Sequence, residues 1–241
     1  MTMPDEGLSV AWITFYAIMI LPSFYCLYIH GRHGLSGWLY VVILCVLRLA
    51  GNGMLLRASW ENKINTTAMV LNGIGLSPLV MAALGLLQEA NHSIKRSLHW
   101  ALGPRGVMGT HILLITGVAL AAASKNNLAT LKTGVIIFLL GWTILAALTI
   151  LSHRMAQDRL SDEKKLLLGM TAAVPIIGVR VIYTVASVFT HSRVDGGSLP
   201  VRVILGMLPE FLAILLYISA GIMTRGLASV RCRTSIRGEL M

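Results

Sequence analysis

Leu208-Pro209-Glu210-Phe211-Leu212-Ala213-Ile214-Leu215-Leu216 places one carboxylate in the middle of an otherwise apolar run. The run belongs to a longer apolar stretch, 203–223, which has the length a helix needs to cross the hydrocarbon core of a bilayer, about 20 residues. A carboxyl group in hydrocarbon costs several kcal/mol unless it is neutral, paired or wet. Glu210 therefore marks a functional position as well as a span. Arg48 and Arg180 occupy similar positions in two other apolar stretches.

The rest of the chain supports the same reading. Of its 241 residues 56% are hydrophobic and 12% charged, against about 25% charged in soluble domains. Seven stretches are long and apolar enough to span, at about 8–29, 38–56, 66–88, 106–123, 133–151, 166–189 and 203–223. The linkers are short, so the expected fold is all-α, a single seven-transmembrane helix bundle over 1–241 with a short basic cytoplasmic tail at 224–241. The net charge of +10 lies in the linkers, without the interleaved aromatics of a nucleic-acid surface. With the N-terminus outside, twelve Lys and Arg residues fall on the cytoplasmic side, from Arg32 to Arg237. Six fall opposite: Arg57, Lys63, Lys125, Lys132, Arg193 and Arg202. That bias predicts N-out, C-in. Met-Thr-Met-Pro-Asp-Glu lacks a basic leader, which makes the first span an uncleaved anchor. Two glycosylation patterns, Asn65-Thr66-Thr67 and Asn91-His92-Ser93, abut a helix and face the cytoplasm respectively, so neither is expected to be modified.

At about 1.5 Å per helical residue, orientation gives depth. Arg48 lies near mid-membrane, and Asn52 one turn closer to the lumen on the same face. Asn72 is in the lumenal half, Arg180 just past the middle and Tyr183 less than a turn above it. Glu210 falls about 10 Å below its lumenal end by the same rise. These side chains share one depth band and are expected to converge inside the bundle. A salt bridge from Glu210 to Arg48 or Arg180 would be a packing device. One acid against two arginines, however, fits better beside a cavity holding water, an anion or a polar ligand group.

Other positions carry weaker signals. Glu61 follows Trp60 at the lumenal end of the second span, at a cavity mouth or beside Lys63 as a loop carboxylate. Glu89 reads as a solvated charge ending the third span. Only His111 of the seven histidines lies within a span, and no metal site is expected. Cys26, Cys45 and Cys232 form no disulfide framework. Pro22, Pro78, Pro175 and Pro209 each interrupt a span.

Five stretches occur together: Arg48-Leu-Ala-Gly-Asn52, Gly75-Leu-Ser-Pro-Leu-Val-Met-Ala-Ala-Leu-Gly-Leu-Leu87, His153-Arg154, Val174-Pro-Ile-Ile-Gly-Val-Arg-Val-Ile-Tyr183 and Met207-Leu-Pro-Glu210. In order and spacing they resemble a family of fungal seven-helix membrane proteins that includes the ascofuranone-type membrane-bound terpene cyclases of meroterpenoid pathways. The resemblance implies an enzyme of the endoplasmic reticulum membrane that protonates the epoxide of a lipophilic prenylated substrate and cyclises the cation. It implies no cofactor and no obligate protein partner. Glu210 would be the general acid, since burial favours the protonated form such a group needs. If an arginine pairs with it, Glu210 becomes a counter-ion and Glu61 the better donor. Arg48, Asn52, Asn72, Arg180 and Tyr183 would bind and orient the substrate. Trp12, Trp60, Trp142 and Tyr217 would either stabilise a carbocation or anchor the interface. Two other classes fit seven spans with buried charges. A seven-helix receptor or sensor lacks support from the very short loops, and a small transporter from the absence of an internal repeat.

Overall fold

The structure, a computed structural model, describes residues 3–61, 68, 71–72, 75–94, 102–124, 127–155, 159–191, 194 and 196–227. These are helices joined by turns and short irregular segments, with no strand among them. A continuous helical stretch, Met3–Trp60, breaks at Gly31, whose φ of 57° is open to glycine at little cost. The break divides it into α1 (Glu6–Arg32) and α2 (Gly34–Trp60). The chain continues through α3 (Leu76–Ala90), α4 (Pro104–Ala123), α5 (Leu128–Arg154), α6 (Ser161–His191) and α7 (Leu199–Met223). The Asn65-Thr66-Thr67 pattern, His33, Lys63, Lys95, Arg96, Lys125, Arg193, Cys232 and most of the basic tail lie outside the described residues or side chains.

Six of the helices, all but α3, are long and apolar enough to cross a membrane. Their exteriors suit that role. Ile18, Leu21, Ile112, Ile136, Ile150, Leu168, Ile182 and Ile204 face outward, while Arg48, Arg180, Glu210, His30 and Glu89 are buried. Large apolar patches on a monomer mark contact with something other than water. Of the expected third span at 66–88, residues 68, 71–72 and 75–88 are described, and 68 and 71–72 are helical ahead of α3. α3 itself has 15 residues, about 22 Å at 1.5 Å per residue. It forms the centre of the bundle: nearly every residue of α3 is buried, and it packs against the α1–α2 stretch, α4, α5 and α6.

α1 and α2 run antiparallel, joined end to end by polar contacts. Ser59 Oγ donates to Glu6 Oε1 at one end, Ser23 Oγ and Cys45 Sγ lie 3.6 Å apart midway, and the rings of His30 and Trp38 are 5.0 Å apart at the turn. The inward stripe of α1 is Ser9, Trp12, Tyr16, Ser23, Cys26 and His30, all buried. Its three-and-four spacing is that of one helix face, and most of it carries polar atoms. α2 crosses α3 where Gly37 meets Gly85, and a Cβ on either would strike the other helix's backbone. Small residues at such crossings allow the close approach that favours helix association in a bilayer.

Prolines act differently from one helix to the next. Pro78 sits in the first turn of α3, where its missing N–H costs little. Pro22 and Pro175 lie inside α1 and α6. Ahead of Pro209, α7 widens into a π-helical segment, Arg202–Met207, in which Leu208 N–H donates to the Val203 carbonyl five residues back. The wider turn accommodates a proline ring that would otherwise press on the Leu205 carbonyl.

Candidate functional site

Arg48 organises the site. It projects from α2 with 1% exposure, and burying an unpaired guanidinium would cost several kcal/mol. Its donors are met on both sides. Nε donates to Glu210 Oε1 at 2.6 Å and Nη2 to Glu210 Oε2, the bidentate fork that arginine forms with a carboxylate. Nη1 donates to the Asn72 carbonyl at 2.9 Å and to its side-chain oxygen at 3.3 Å. Asn52, one turn on, donates to the Arg48 carbonyl at 2.9 Å and to Asn72 Oδ1 at 3.1 Å. Asn72 returns a bond to Asn52 Oδ1 at 3.3 Å. The Trp12 ring lies 4.5 Å from the guanidinium carbon, within cation–π range. Gly75 leaves room: a Cβ there would lie 2.7 Å from Arg48 Cζ.

Glu210 is fully buried at the start of the regular part of α7. Besides Arg48 it accepts a 2.6 Å bond from Tyr16 OH on α1, and Arg180 Nε of α6 stands 3.7 Å from Oε2. This is the counter-ion arrangement, with both oxygens held by donors. Gly206, in the π-helical segment, lets Arg180 pass: a Cβ there would lie 3.2 Å from Nη1. Tyr183 has its ring 5.5 Å from the Arg180 guanidinium carbon and donates its hydroxyl to the Gly196 carbonyl at 2.9 Å.

Beside this network lies a cavity of about 40 Å³ lined by Leu8, Ser9, Trp12, Arg48, Asn52, Leu55, Asn72, Arg180, Arg202 and Gly206. That is room for about three waters, the size of a phosphate or carboxylate group, against roughly 300–1,000 Å³ for a pocket that encloses a whole drug-sized ligand. Three guanidinium groups, two carboxamides and a hydroxyl line it, and among the described residues no carboxylate does. An aromatic group stands behind: Phe15 stacks on Phe211 at 3.6 Å, and Trp12 meets Phe211 edge-on at 5.0 Å.

Of the residues singled out from sequence, Arg48, Asn52, Asn72, Arg180 and Glu210 do converge. Tyr183 is turned to Gly196 and does not line the cavity. Glu61 lies on the surface, 41% exposed, ion-paired to Arg57 at 2.8 Å. Tyr16 and the cavity face of Arg202 were not foreseen. The three-and-four stripe of polar residues along α1 was the available signal for Tyr16.

Glu89 is corrected. It is not a solvated end charge but is buried at 1% exposure, and His30 with it at 2%. Glu89 Oε1 lies 2.7 Å from His30 Nδ1, and Oε2 accepts from Trp38 Nε1 at 3.1 Å. His30 also falls within α1 rather than in a loop. A third cluster joins the end of α5 to Asn91, just past α3, and to Arg159, in the segment before α6. There Arg159 donates to Asn91 Oδ1, to the Ser152 carbonyl at 2.8 Å and to Ser152 Oγ at 2.7 Å. Burial pulls the Arg159 guanidinium below its ordinary value, partly offset by Glu163. No group of three or more metal-ligating side chains occurs among the described residues.

A family model described as a domain of unknown function (DUF7702) matches residues 3–227, and the chain belongs to that family. No curated protein and no solved structure matches the chain.

Proposed function

We propose that this DUF7702 member is a membrane-embedded protein that captures a lipophilic small molecule by an anionic head group. The supporting observation is the cavity between α1, α2, α6 and α7, lined by Arg48, Arg180 and Arg202 with Ser9, Asn52 and Asn72 and, among the described residues, by no acid. Guanidinium groups hold phosphate and carboxylate oxygens through paired hydrogen bonds. The cavity takes a head group, and the half-buried Leu8 and Leu55 at its rim lead an apolar tail toward lipid. In the same reading the chain crosses an endoplasmic reticulum membrane seven times with its N-terminus lumenal. α3 serves as the internal seventh crossing, and the cavity opens toward the lumenal leaflet.

The test uses purified protein in phosphatidylcholine nanodiscs, titrated with dodecyl phosphate and with dodecanol. The phosphate should bind and the alcohol bind at least tenfold more weakly. Arg202→Gln, a change at a half-buried residue, should weaken the phosphate by about 10- to 100-fold, the worth of one charge-assisted hydrogen bond. Equal affinity for both probes sinks the reading.

A second reading, cyclisation of a prenylated epoxide, is favoured by the rings of Trp12, Phe15, Tyr16 and Phe211 around the network. Their faces suit a developing carbocation. Here Glu210 is the counter-ion of Arg48, and the Tyr16 hydroxyl, which donates to it at 2.6 Å, is the candidate proton donor. Product formation from a prenyl epoxide by membranes carrying the wild type, and its loss in Tyr16→Phe, would support this reading; no product from the wild type removes it.

A further inference from the structure

Arg159, between α5 and α6, is 6% exposed. A single nitrogen, Nη2, makes its hydrogen bonds: to Asn91 Oδ1 just past α3, and to the carbonyl and hydroxyl oxygens of Ser152 on α5. Ser152 Oγ also donates to Asn91 Oδ1 at 2.7 Å, so that carboxamide oxygen already serves two donors. Arg159 Nε, Arg159 Nη1 and Asn91 Nδ2 are enclosed and meet no acceptor among the described residues. Glu163 on α6 offsets the Arg159 charge through space, yet it accepts from Ser93 Oγ and takes neither Nε nor Nη1. A buried donor left unmet costs about 1–3 kcal/mol, and more when it is charged. Three such donors in one cluster call for an acceptor from outside the chain.

We infer that Arg159 and Asn91 form a binding site for the phosphate of an anionic glycerophospholipid, at the end of the bundle opposite the cavity. Position selects a lipid. α5 has 27 residues, about 40 Å at 1.5 Å per residue, so its ends pass the roughly 30 Å hydrocarbon core and stand in the head-group layer. Ser152 lies in its last turn and Glu163 in the first turn of α6. The donors are one layer below the surface: Ser93, two residues past Asn91, and His153, next to Ser152, are exposed. Ile150 of α5 and Leu168 of α6 are exposed farther along the same two helices and offer apolar surface to acyl chains. Charge selects an anionic head group. Arg154 and Lys164, exposed at these helix ends, add to the attraction. A head group with net negative charge also brings no cation of its own to compete with Arg159. Inorganic phosphate shares the oxygens but not the chains.

The test releases the full chain from nanodiscs of equal phosphatidylglycerol and phosphatidylcholine and counts retained lipid by native mass spectrometry. Phosphatidylglycerol should be retained at least tenfold over phosphatidylcholine. Asn91→Asp gives Arg159 a carboxylate from within. It should keep the wild-type melting temperature and lower phosphatidylglycerol retention by about 10- to 100-fold, the worth of one charge-assisted hydrogen bond. Arg159→Lys, which keeps the charge but only one nitrogen, should lower it by a smaller factor. Arg202→Gln, at the cavity, should leave it unchanged. Equal retention of the two lipids by the wild type overturns the site, and is the result expected if water alone meets these donors. Retention that survives both Asn91→Asp and Arg159→Lys overturns it as well, and retention lost in Arg202→Gln places the lipid in the cavity instead. Inorganic phosphate added before release should not displace the lipid; displacement assigns the site to free phosphate and overturns the lipid. Failure of dodecyl phosphate to bind at the cavity would leave all these results standing.

Discussion

At one end of the bundle α1, α2, α6 and α7 meet around Arg48, Arg180, Tyr16 and Glu210. At the other, α1, α2 and α7 meet α3 around His30, Trp38 and Glu89. Both clusters are nearly inaccessible, and each contains one carboxylate among the described residues. They differ in what surrounds that carboxylate. Glu89 faces a base that can neutralise itself by giving up a proton. Glu210 faces arginine, which cannot, and the guanidinium groups around it also line a cavity. The first arrangement closes on itself. The second keeps permanent charge beside open space, which is useful to a protein that receives something there.

That contrast is most exposed to Glu210→Ala against Glu89→Ala. Removing one member of a buried ion pair costs about 3–5 kcal/mol, because the partner remains charged. Loss of Glu89 leaves an imidazole that can become neutral, and about 1–3 kcal/mol is expected, the cost of unsatisfied buried donors. Unfolding of both variants in the same detergent measures the difference. Equal losses would erase the distinction between the two ends.

Hydrogen bonds to the two carboxylates give a smaller version of the comparison. Tyr16→Phe removes a 2.6 Å bond to an arginine-held carboxylate and should cost about 1.5–3 kcal/mol, as for hydrogen bonds to charged groups. Trp38→Phe removes a 3.1 Å bond and should cost about 1 kcal/mol, since part of the Glu89 charge is shared with the His30 proton. If Trp38→Phe is the more damaging, Glu89 carries more charge than a shared proton allows.

The sequence made one of these ends legible and hid the other. Hydropathy located six long helices, and a rise of 1.5 Å per residue brought Arg48, Asn52, Asn72, Arg180 and Glu210 to one level, because ionic groups in the middle of apolar runs have few places to go. Glu89 and His30 lie at the ends of apolar runs, where a charge normally meets water. Trp38 of α2 and the return of α7, with the Gly221 carbonyl over His30, cover them, and covering by another helix leaves no mark in the covered segment. Arg202 was hidden for the same reason, as a charge at a helix start that turns inward over the π-helical segment. The 66–88 stretch read as a span from its largely apolar sequence, but the enclosure of α3 by four other helical segments left no mark there. Depth is additive along one chain segment; enclosure depends on partners distant in sequence.

Glu61 provides the finest discrimination. It sits within one turn of Trp60 at the same end of the bundle as the cavity, and sequence alone allowed it to be a proton donor. The structure gives it an i,i+4 partner, Arg57, itself 79% exposed. Exposed pairs of this kind on a helix contribute about 0.3–0.5 kcal/mol, further reduced by salt. Glu61→Gln should therefore shift stability by no more than that and leave dodecyl phosphate binding unchanged, since neither Glu61 nor Arg57 lines the cavity. The measurement separates two accounts of the acid at this end. A bystander predicts no change in binding or product. If Glu61→Gln instead abolishes turnover of a prenyl epoxide while Tyr16→Phe preserves it, Glu61 must swing inward from its surface position. The proton would then come from outside the arginine network, and Glu210 would keep only the role of holding Arg48 and Arg180 in place.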